Sequence, residues 1–502
     1  MTPSPTRAYL TVAASAFLVY LGALRLGFAL DDVPIIATNP LVHRWSGLLE
    51  AFATPYWPPA AGAAMYRPLT IASFALDWQS GQLVWLHAVN VLWHVAASVT
   101  VAALARRWSD STGGALLAGM VFAVHPVHVE AVANLVGRAE VLASLFAMLS
   151  VYAALERDQL AWSLVALTLG LLSKETAASV PGLIAAGWLT GVGHRPSRRR
   201  LLEYLGGWVC VALCYGVVRW WVLHPYADQV QVAPVFVGAS FAATRLTAVG
   251  SFADVARLLL FPAHLRVDYS PAERTLLTTP LDARFLLGAL CLGLWAALIV
   301  VLYRRRPAIA FGLLWTGVAL LPVANVLFLT GVLVAERTLY LPSAGLAIAL
   351  GAAAGDLRLS RLRLVAVAIV LAAGARTALR VPVWRDSASV LQSVVRDSPR
   401  SYVAPMWTAT TALAQHRPAE ALRDFRVAAA ITTNAPKLLM VGADAAFTLG
   451  DAQLADSQLV RLDQLCRRCP FYYEFEARAA LARGDSAIAD SILVRARSLE
   501  SR

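Results

Sequence analysis

The sequence is poor in charged residues. Only 15% of its 502 residues are Asp, Glu, Lys or Arg, whereas 58% are hydrophobic and the mean hydropathy is +0.61. A soluble domain carries about 25% charged residues, so this composition excludes a soluble fold of this size. Several apolar runs reach the roughly 20 residues that a helix needs to cross a bilayer core of about 30 Å. The chain is therefore predicted to be an integral membrane protein.

Cysteine is also scarce. The chain has five cysteines, of which Cys466 and Cys469 form a CxxC pair near the C-terminus. No second CxxC or histidine pair lies nearby, so a zinc site is not expected. A disulfide between these two cysteines is an open alternative if this part of the chain faces an oxidising compartment.

Positive charge is in excess but is confined to short segments. The formal net charge is +12, and arginines cluster at 106–107, 195–200, 304–306 and 358–363, each between two apolar runs. Short basic loops of this kind mark the cytoplasmic side of a membrane protein. This distribution favours membrane topology, rather than a nucleic-acid-binding patch, as the reason for the charge.

The order of apolar runs and basic loops predicts an all-α, polytopic membrane helix bundle with its N-terminus in the cytoplasm. The first run lacks a cleavage site and is predicted to be an anchor. Loops 29–83 and 223–283 then fall outside, and the stretch 244–262 is predicted to lie on the membrane without crossing it. The eleven predicted spans are 8–28, 84–105, 113–130, 139–156, 160–174, 177–193, 201–222, 284–303, 307–328, 337–355 and 362–381.

The chain divides into a membrane domain, 1–383, and a second domain, 384–502, with the composition of soluble helices. Helix pairs of 34 residues with small residues at the packing positions are typical of tetratricopeptide repeats, which offer a concave surface to partners. We therefore predict a short tetratricopeptide-like domain on the outer side, with a non-repeating amphipathic array as the alternative. The period of 34 residues is set by Tyr402, Pro436 and Pro470, and by the turns at Gly450-Asp451 and Gly484-Asp485.

Two adjacent carboxylates, Asp31 and Asp32, follow the first membrane helix directly. Such a pair can bind a divalent cation, or one member can act as a base on an acceptor hydroxyl while the other orients it; capping the loop or marking the outer membrane boundary is the alternative. His125, His128 and Glu130 lie in an apolar stretch, where polar groups usually face a cavity or a partner. Metal binding by the histidines and aspartates is one candidate role. Hydrogen bonding to a sugar or phosphate is favoured, and a satisfied structural cluster is the remaining alternative.

Four cations flanked by apolar sequence are predicted on one side of the membrane: Arg67, Arg138, Lys174 and Arg337. Arginine binds phosphate as a fork and lysine binds it as a point charge, so together they predict an anionic, lipid-linked ligand. Snorkelling or internal ion pairing is the alternative for each cation. Their acidic neighbours are Glu140, Glu175 and Glu336.

An ordered set of motifs resembles the transmembrane and tetratricopeptide-repeat O-mannosyltransferases, of the C-superfamily of polyprenyl-phosphate-sugar glycosyltransferases. The most specific of them is HPVHVEAV followed by VGRAE. The near absence of lysine suggests a bacterial member. The motifs are Asp31-Asp32, YRPLT (66–70), HAVNVLWH (87–94), FAVHPVHVEAVANLVGRAE (122–140), LLSKE (171–175) and VAERTLYLPSAG (334–345).

The resemblance implies transfer of a sugar, typically mannose, from a polyprenyl-phosphate carrier to a Ser or Thr hydroxyl, with inversion at the anomeric carbon. It implies Asp31 or Asp32 as the base, with no cofactor beyond a candidate divalent cation. It also implies an inner-membrane protein whose site and repeats face the periplasm. The residues expected to bind the donor are Arg67, His125, His128, Glu130, Arg138, Glu140, Lys174, Glu175, Glu336 and Arg337.

Three other functions compete with this expectation. The acceptor could be a lipid or a cell-wall glycan, since the donor half of the site would look the same. The chain could also be a non-catalytic membrane anchor that displays its repeats to a partner protein. A transporter of lipid-linked sugars is disfavoured because the membrane part has no internal repeat.

Overall fold

The computed structural model describes residues 4–58, 65–225, 232–269, 271–354 and 360–465, with 473, 476–477, 480–481 and 484–500 near the C-terminus. The regular structure in these ranges is helical, and no strand occurs in them. The predicted all-α class is therefore confirmed. The CxxC pair at Cys466 and Cys469 lies outside the described residues.

The membrane part begins with α1 (Pro5–Val19), which continues after Tyr20 as the 3-10 turn Leu21–Arg25. Most of the later helices pack around α3 (Leu83–Ser109), α5 (Arg138–Arg157) and α13 (Tyr340–Ala354). Short 3-10 turns precede several helices, for example at Glu175–Ser179 and Glu336–Leu339. The helices described here are α1 (Pro5–Val19), α2 (Pro68–Trp78), α3 (Leu83–Ser109), α4 (Thr112–Ala123), α5 (Arg138–Arg157), α6 (Leu160–Ser173), α7 (Val180–Thr190), α8 (Arg198–Leu223), α9 (Phe241–Gly250), α10 (Phe252–Leu260), α11 (Ala283–Leu302), α12 (Pro307–Leu320), α13 (Tyr340–Ala354) and α14 (Ser360–Arg380).

The chain is a multi-pass membrane protein, but the predicted count of eleven spans is not confirmed. Within the described ranges, six helical segments are long and apolar enough to cross a membrane, and a bent pair, Thr112–Ala123 with Pro126–Val132, makes up to seven. Four predicted spans coincide with helices of only 11 to 15 residues, namely α6, α7, α12 and α13. In α12 the apolar sequence continues into turns after Leu320, so hydropathy overestimates the length of that helix. The stretch 244–262 is divided at Ser251 between α9 and α10.

Glycines bring α13 into direct backbone contact with its neighbours. A Cβ on Gly312 of α12 would lie 2.5 Å from the carbonyl oxygen of Gly345, and one on Gly114 of α4 would lie 2.4 Å from that of Gly351. Small residues at such crossings let membrane helices approach closely and gain van der Waals contact. α13 is thus fixed from two sides, which also fixes the turn that carries Arg337.

The second part of the chain folds as helical hairpins that repeat with the predicted period. One residue in each turn has left-handed backbone torsions: His416 (φ 58°), Gly450 (φ 78°) and Gly484 (φ 85°). The next N–H closes each turn on an alanine carbonyl, at 2.8 to 2.9 Å, from Arg417 to Ala412, Asp451 to Ala446 and Asp485 to Ala480. The described helices are α15 (Ser387–Asp397), α16 (Val403–Ala414), α17 (Pro418–Ala429), α18 (Pro436–Thr448), α19 (Ala452–Leu465) and α20 (Ser486–Glu500).

Candidate active site

The two adjacent aspartates have different environments in the segment 27–32, which we call the acidic corner. Asp32 is buried, and its carboxylate accepts hydrogen bonds from the backbone N–H groups of Ala29 (3.1 Å) and Val136 (2.9 Å). Asp31 is half-buried, and no residue that the structure describes donates a hydrogen bond to its carboxylate. Asp32 therefore ties the corner to the bundle, whereas the Asp31 carboxylate is open to a ligand.

Electrostatics also separate the two carboxylates. Burial raises the pKa of Asp32 to about 7, although its backbone donors oppose the shift. Burial also raises the pKa of Asp31; the cations Arg337 and Lys437 oppose this shift, and Glu130 adds to it. Asp31 thus lies within electrostatic reach of two cations.

All four predicted cations are paired with carboxylates, and in three of the pairs, those of Arg67, Lys174 and Arg337, the cation stays partly exposed. Arg337 keeps 34% of its side chain exposed, against 13% for Arg67 and 11% for Lys174. In the described structure, the guanidinium of Arg337 donates only to its carboxylate partner, so most of its donors are open to a ligand. The pairs are Arg67 with Glu175 (Nε 3.2 Å, Nη2 3.0 Å), Lys174 with Glu140, and Arg337 with Glu130, which also accepts the backbone N–H of Arg337 at 2.9 Å.

These pairs converge on the acidic corner. Lys174 is within electrostatic reach of both Arg67 and Arg337. The buried ring of Tyr56 lies 5.0 Å below the guanidinium of Arg67 and is also influenced by Asp31 and Arg337. One half-buried carboxylate and three paired cations therefore share one region of the bundle.

Arg138 is fully buried and committed to the protein. Its guanidinium pairs with Asp77 and donates to the side-chain oxygen of Asn90 (2.6 Å) and the carbonyl of Leu86 (2.9 Å), while it stacks on Phe74 at 4.3 Å. The internal ion pair, given above as the alternative to phosphate binding, is the arrangement that the structure contains for this residue.

The histidines form a buried cluster rather than an open pocket. His125 donates to the carbonyl of Leu259 (3.1 Å), and Nε2 of His128 contacts the Ser343 hydroxyl at 2.7 Å. The rings of His125 and His128 lie 5.4 Å apart, and the ring of Tyr340 is 4.5 Å from that of His128. Both rings are thus buried in contacts with the protein, and Nδ1 of His128 has no hydrogen-bond partner among the described residues.

Glu336 is buried apart from the cation pairs. It accepts a hydrogen bond from the Tyr269 hydroxyl at 2.8 Å and another from the backbone N–H of Arg266. Burial raises its pKa to about 8. These contacts link the turn before α13 to the loop after α10. Because Arg337 is the next residue in that turn, they also help to fix its position.

A cavity of about 520 Å³ opens near the first loop and the C-terminal end of α8. Trp57 and Trp221 form part of its wall, with Arg44 and Asn39 among its polar lining residues. Trp57 packs edge-on against Tyr56, with 6.3 Å between ring centroids. The cavity therefore lies close to the Tyr56 ring, over which the guanidinium of Arg67 is placed.

Comparison with known proteins gives these residues a family context. Residues 74–220 match the family model described as dolichyl-phosphate-mannose-protein mannosyltransferase. The chain is 29% identical over 356 residues to the protein O-mannosyl-transferase F38B6.6 of Caenorhabditis elegans, covering 68% of this chain and 50% of that relative. It is 29% identical over 376 residues to human TMTC3, covering 66% of this chain and 40% of that protein. The resemblance to the O-mannosyltransferases is confirmed.

Drosophila melanogaster Tmtc1 is 28% identical over 523 residues, covering 81% of this chain and 60% of that relative. The chain thus spans about half the length of the O-mannosyltransferases that it matches. A crystal structure of the Archaeoglobus fulgidus oligosaccharyltransferase aligns with a TM-score of 0.40 and 15% identity, over 82% of this chain and 58% of that one. That score does not establish a shared fold.

The range matched by the mannosyltransferase family holds Arg138, Glu140, Lys174 and Glu175, whereas Asp31 lies outside it. In the described ranges, no group of three or more His, Cys, Asp or Glu side chains is arranged to hold a metal ion. The candidate metal ligands lie in two groups: Asp31 and Asp32 in the acidic corner, and His125 and His128 in the buried histidine cluster.

Several residues of this region were not predicted from the sequence. Asp77 and Asn90, the partners of Arg138, lie 61 and 48 positions away from it along the chain. That Asp77 and Asn90 have polar partners could have been predicted, because an Asp and an Asn inside apolar helices require them. Tyr56 and Lys437 gave no signal from local sequence, since only the fold brings them to Asp31.

Proposed function

We propose that this chain is an integral-membrane glycosyltransferase that moves a sugar, with mannose as the first candidate, from a polyprenyl-phosphate carrier to the hydroxyl of a protein Ser or Thr. One observation carries the proposal. The half-buried carboxylate of Asp31 has no described hydrogen-bond donor and is within electrostatic reach of Arg337, whose guanidinium is only partly used by Glu130.

The chemistry follows from this arrangement. The acceptor oxygen attacks the anomeric carbon while the bond from that carbon to the phosphate oxygen breaks, so that the configuration inverts. Asp31 takes the hydroxyl proton, which typically contributes about 10²–10⁴-fold. The carrier leaves as a phosphate monoester whose growing negative charge is stabilised by Arg337, with Arg67 and Lys174 behind it. Positioning of the two substrates supplies much of the remaining rate enhancement.

Two predicted residues take supporting parts in this proposal. Asp32 holds the loop through its two backbone donors and is not the base. Arg138 fixes α2 and α3 against α5 and does not meet the donor. The remaining predicted donor ligands divide in the same way: Glu130, Glu140 and Glu175 orient the cations, whereas His125, His128 and Glu336 support the fold around them.

The cavity beside Tyr56 suits the carrier. Its tryptophans and the neighbouring lipid-facing side of α8 offer an apolar surface to an isoprenoid chain, close to the cations that would hold the phosphate. We place residues 1–383 in the membrane domain and 384–502 in the repeat domain. In a bacterial inner membrane, the N-terminus would be cytoplasmic, and both the site and the repeats would face the periplasm. A periplasm-specific reporter fused after Trp384 tests this orientation.

The function is tested by reconstituting the chain in vesicles with a polyprenyl-phosphate mannose and a Ser/Thr-containing peptide. We expect a mannosylated peptide whose anomeric configuration, determined by NMR, is opposite to that of the donor. Transfer to added lipid or glycan but not to peptide would replace the acceptor assignment. Absence of transfer to any hydroxyl acceptor, with the protein folded, would favour the scaffold function.

A further inference from the structure

A second cavity, of about 360 Å³, opens at the N-terminal end of α8. Trp221, near the C-terminal end of the same helix, lines the cavity beside Tyr56. A helix of 26 residues is about 39 Å long, so the two cavities lie at opposite ends of the bundle. We call the second cavity the basic pocket. Its ionisable lining residues are Asp158, His194, Arg195, Arg199, Arg200 and Glu203.

The ends of α5 and α7 and the start of α8 meet at the basic pocket. The backbone N–H of His194 donates to the carbonyl of Leu155, near the end of α5, at 2.9 Å. A Cβ on Gly193, whose φ is 78°, would lie 2.5 Å from the same oxygen, so this close approach requires glycine. The loop 191–197, which carries Arg195, is therefore packed directly onto the bundle.

The positive charges of the pocket are only partly compensated. Arg200 donates to the carboxylate of Asp158 (Nε, 2.8 Å), and both Arg200 (Nη1, 2.8 Å) and Arg199 (Nε, 3.0 Å) donate to Glu203. Among the residues that the structure describes, the side chain of Arg195 has no hydrogen-bond or ion-pair partner. The two carboxylates are thus occupied by the other arginines, and the guanidinium of Arg195 keeps its donors for a ligand.

Membrane topology alone does not explain where these arginines lie. A basic loop needs only positive charge on one side of the membrane, whereas Arg199 and Arg200 lie in the first turn of α8, beside the positive end of the helix dipole. Cations are unfavourable at that position and anions are favourable. An anion in the basic pocket would offset both the dipole and the unpaired charge of Arg195.

An apolar stripe leads away from the pocket along α8. Leu202, Leu205 and Val209 follow Arg199 at spacings of three, three and four residues, so they lie on the same face of the helix. All three side chains are exposed, and α8 is hardly buried along its length. Such a surface contacts hydrocarbon chains in a membrane. The pocket and the stripe together fit a molecule that has both a phosphate group and acyl chains.

We propose that the basic pocket binds the phosphate group of an anionic membrane phospholipid, with the guanidinium of Arg195 on the phosphate oxygens and the acyl chains along Leu202, Leu205 and Val209. Arginine binds phosphate through paired hydrogen bonds, and basic pockets at the ends of membrane helices bind lipid head groups. This lipid site is separate from the cavity assigned to the sugar carrier, and it does not depend on sugar transfer.

The proposal is tested by native mass spectrometry of the full chain in detergent, which measures the affinity of the first bound lipid. Salt of about 0.15 M screens the attraction between distant charges. We expect phosphatidylglycerol to bind more tightly than phosphatidylcholine, which has no net charge. Arg195→Gln should weaken phosphatidylglycerol binding about 5-fold, the value of one arginine at an anionic membrane surface. Arg195→Lys, which keeps the charge but loses the fork, should lie between the two.

The matched control is Arg305→Gln, which removes the same charge from the same end of the bundle. The hydroxyl of Tyr303 donates to the carbonyl of Leu189, near the end of α7, at 2.6 Å, and this contact places the loop of Arg305 there. Arg305 is exposed and does not line the pocket. Its replacement should leave the affinity unchanged. Equal weakening by Arg195→Gln and Arg305→Gln overturns the proposal, because it shows only general attraction to a basic surface.

Two further measurements use the wild type. Millimolar inorganic phosphate or glycerol 3-phosphate should not displace phosphatidylglycerol, because neither can occupy the stripe; displacement by either overturns the lipid assignment. In nanodiscs, phenylglyoxal should modify Arg195 several-fold more slowly in phosphatidylglycerol than in phosphatidylcholine, with Arg305 as the internal standard. Equal modification rates in the two lipids overturn the proposal.

Discussion

Replacement of Arg138 separates a structural role from donor binding. The guanidinium is fully buried, and its partner Asp77 keeps only 8% of its side chain exposed. Arg138→Met preserves most of the volume but leaves the Asp77 carboxylate buried without a counter-ion. Removing one member of a buried pair costs about 3–5 kcal/mol. We therefore expect the free energy of unfolding to fall by about that amount.

The same geometry predicts a rescue. In the double variant Arg138→Met/Asp77→Leu, both charges are gone, and replacement of a buried ion pair by apolar residues is often close to neutral. Some cost remains because Asn90 and the Leu86 carbonyl lose their donor. The double variant should therefore be more stable than Arg138→Met alone, with a coupling energy of about 2 kcal/mol or more.

Equilibrium unfolding in detergent micelles measures all four members of this cycle, and transfer assays on the folded fraction follow activity. If Arg138→Met unfolds like the wild type while its folded fraction loses transfer, the reasoning is refuted. Arg138 would then be a donor ligand, as the sequence suggested.

The remaining predictions concern pH, the acidic corner and the cavity. Burial raises the pKa of Asp32 to about 7 and that of Glu336 to about 8. The stability that these two protonated carboxyl groups confer is therefore complete below their unfolded pKa values of about 4 and is lost as the pH rises through 8. We expect Tm to fall from about pH 5 to pH 8, and a rising Tm contradicts this. Ser387→Ala removes the hydroxyl that accepts the backbone N–H of Leu30 and should reduce transfer by about 2- to 10-fold, the value of one hydrogen bond. Ser389→Ala, whose hydroxyl contacts the side chains of Arg385 and Asp386 instead, should not. Trp57→Ala should raise KM for long-chain donors but not for short-chain ones; equal KM changes exclude the cavity as the carrier site.

Sequence patterns were sufficient where the signal is local and periodic. The turns at His416, Gly450 and Gly484 recur at the same point of the 34-residue period, because each hairpin needs one left-handed residue there. The all-α class could be predicted from hydropathy because long apolar runs are also a local signal. Hydropathy alone could not determine the number of spans. For example, the predicted span 307–328 includes apolar sequence that continues beyond the end of α12 at Leu320.

The partners of the charged groups were beyond the reach of sequence. Each cation looked available for a phosphate, but its actual neighbour depends on helix packing: Arg337 meets Glu130, 207 residues away, and Arg67 meets Glu175, 108 residues away. Likewise, nothing local distinguishes Asp31 from Asp32. The distinction arises because the backbone N–H of Val136 reaches one carboxylate and not the other.

The central claim is that Asp31 takes the proton of the acceptor hydroxyl. The most direct measurement is the single-turnover rate of sugar transfer by Asp31→Asn in vesicles, compared with Asp110→Asn, a control that removes a carboxylate from an exposed left-handed position at the end of α3. We expect a loss of about 10²–10⁴-fold for Asp31→Asn and a wild-type rate for Asp110→Asn. A wild-type rate in Asp31→Asn would contradict the claim.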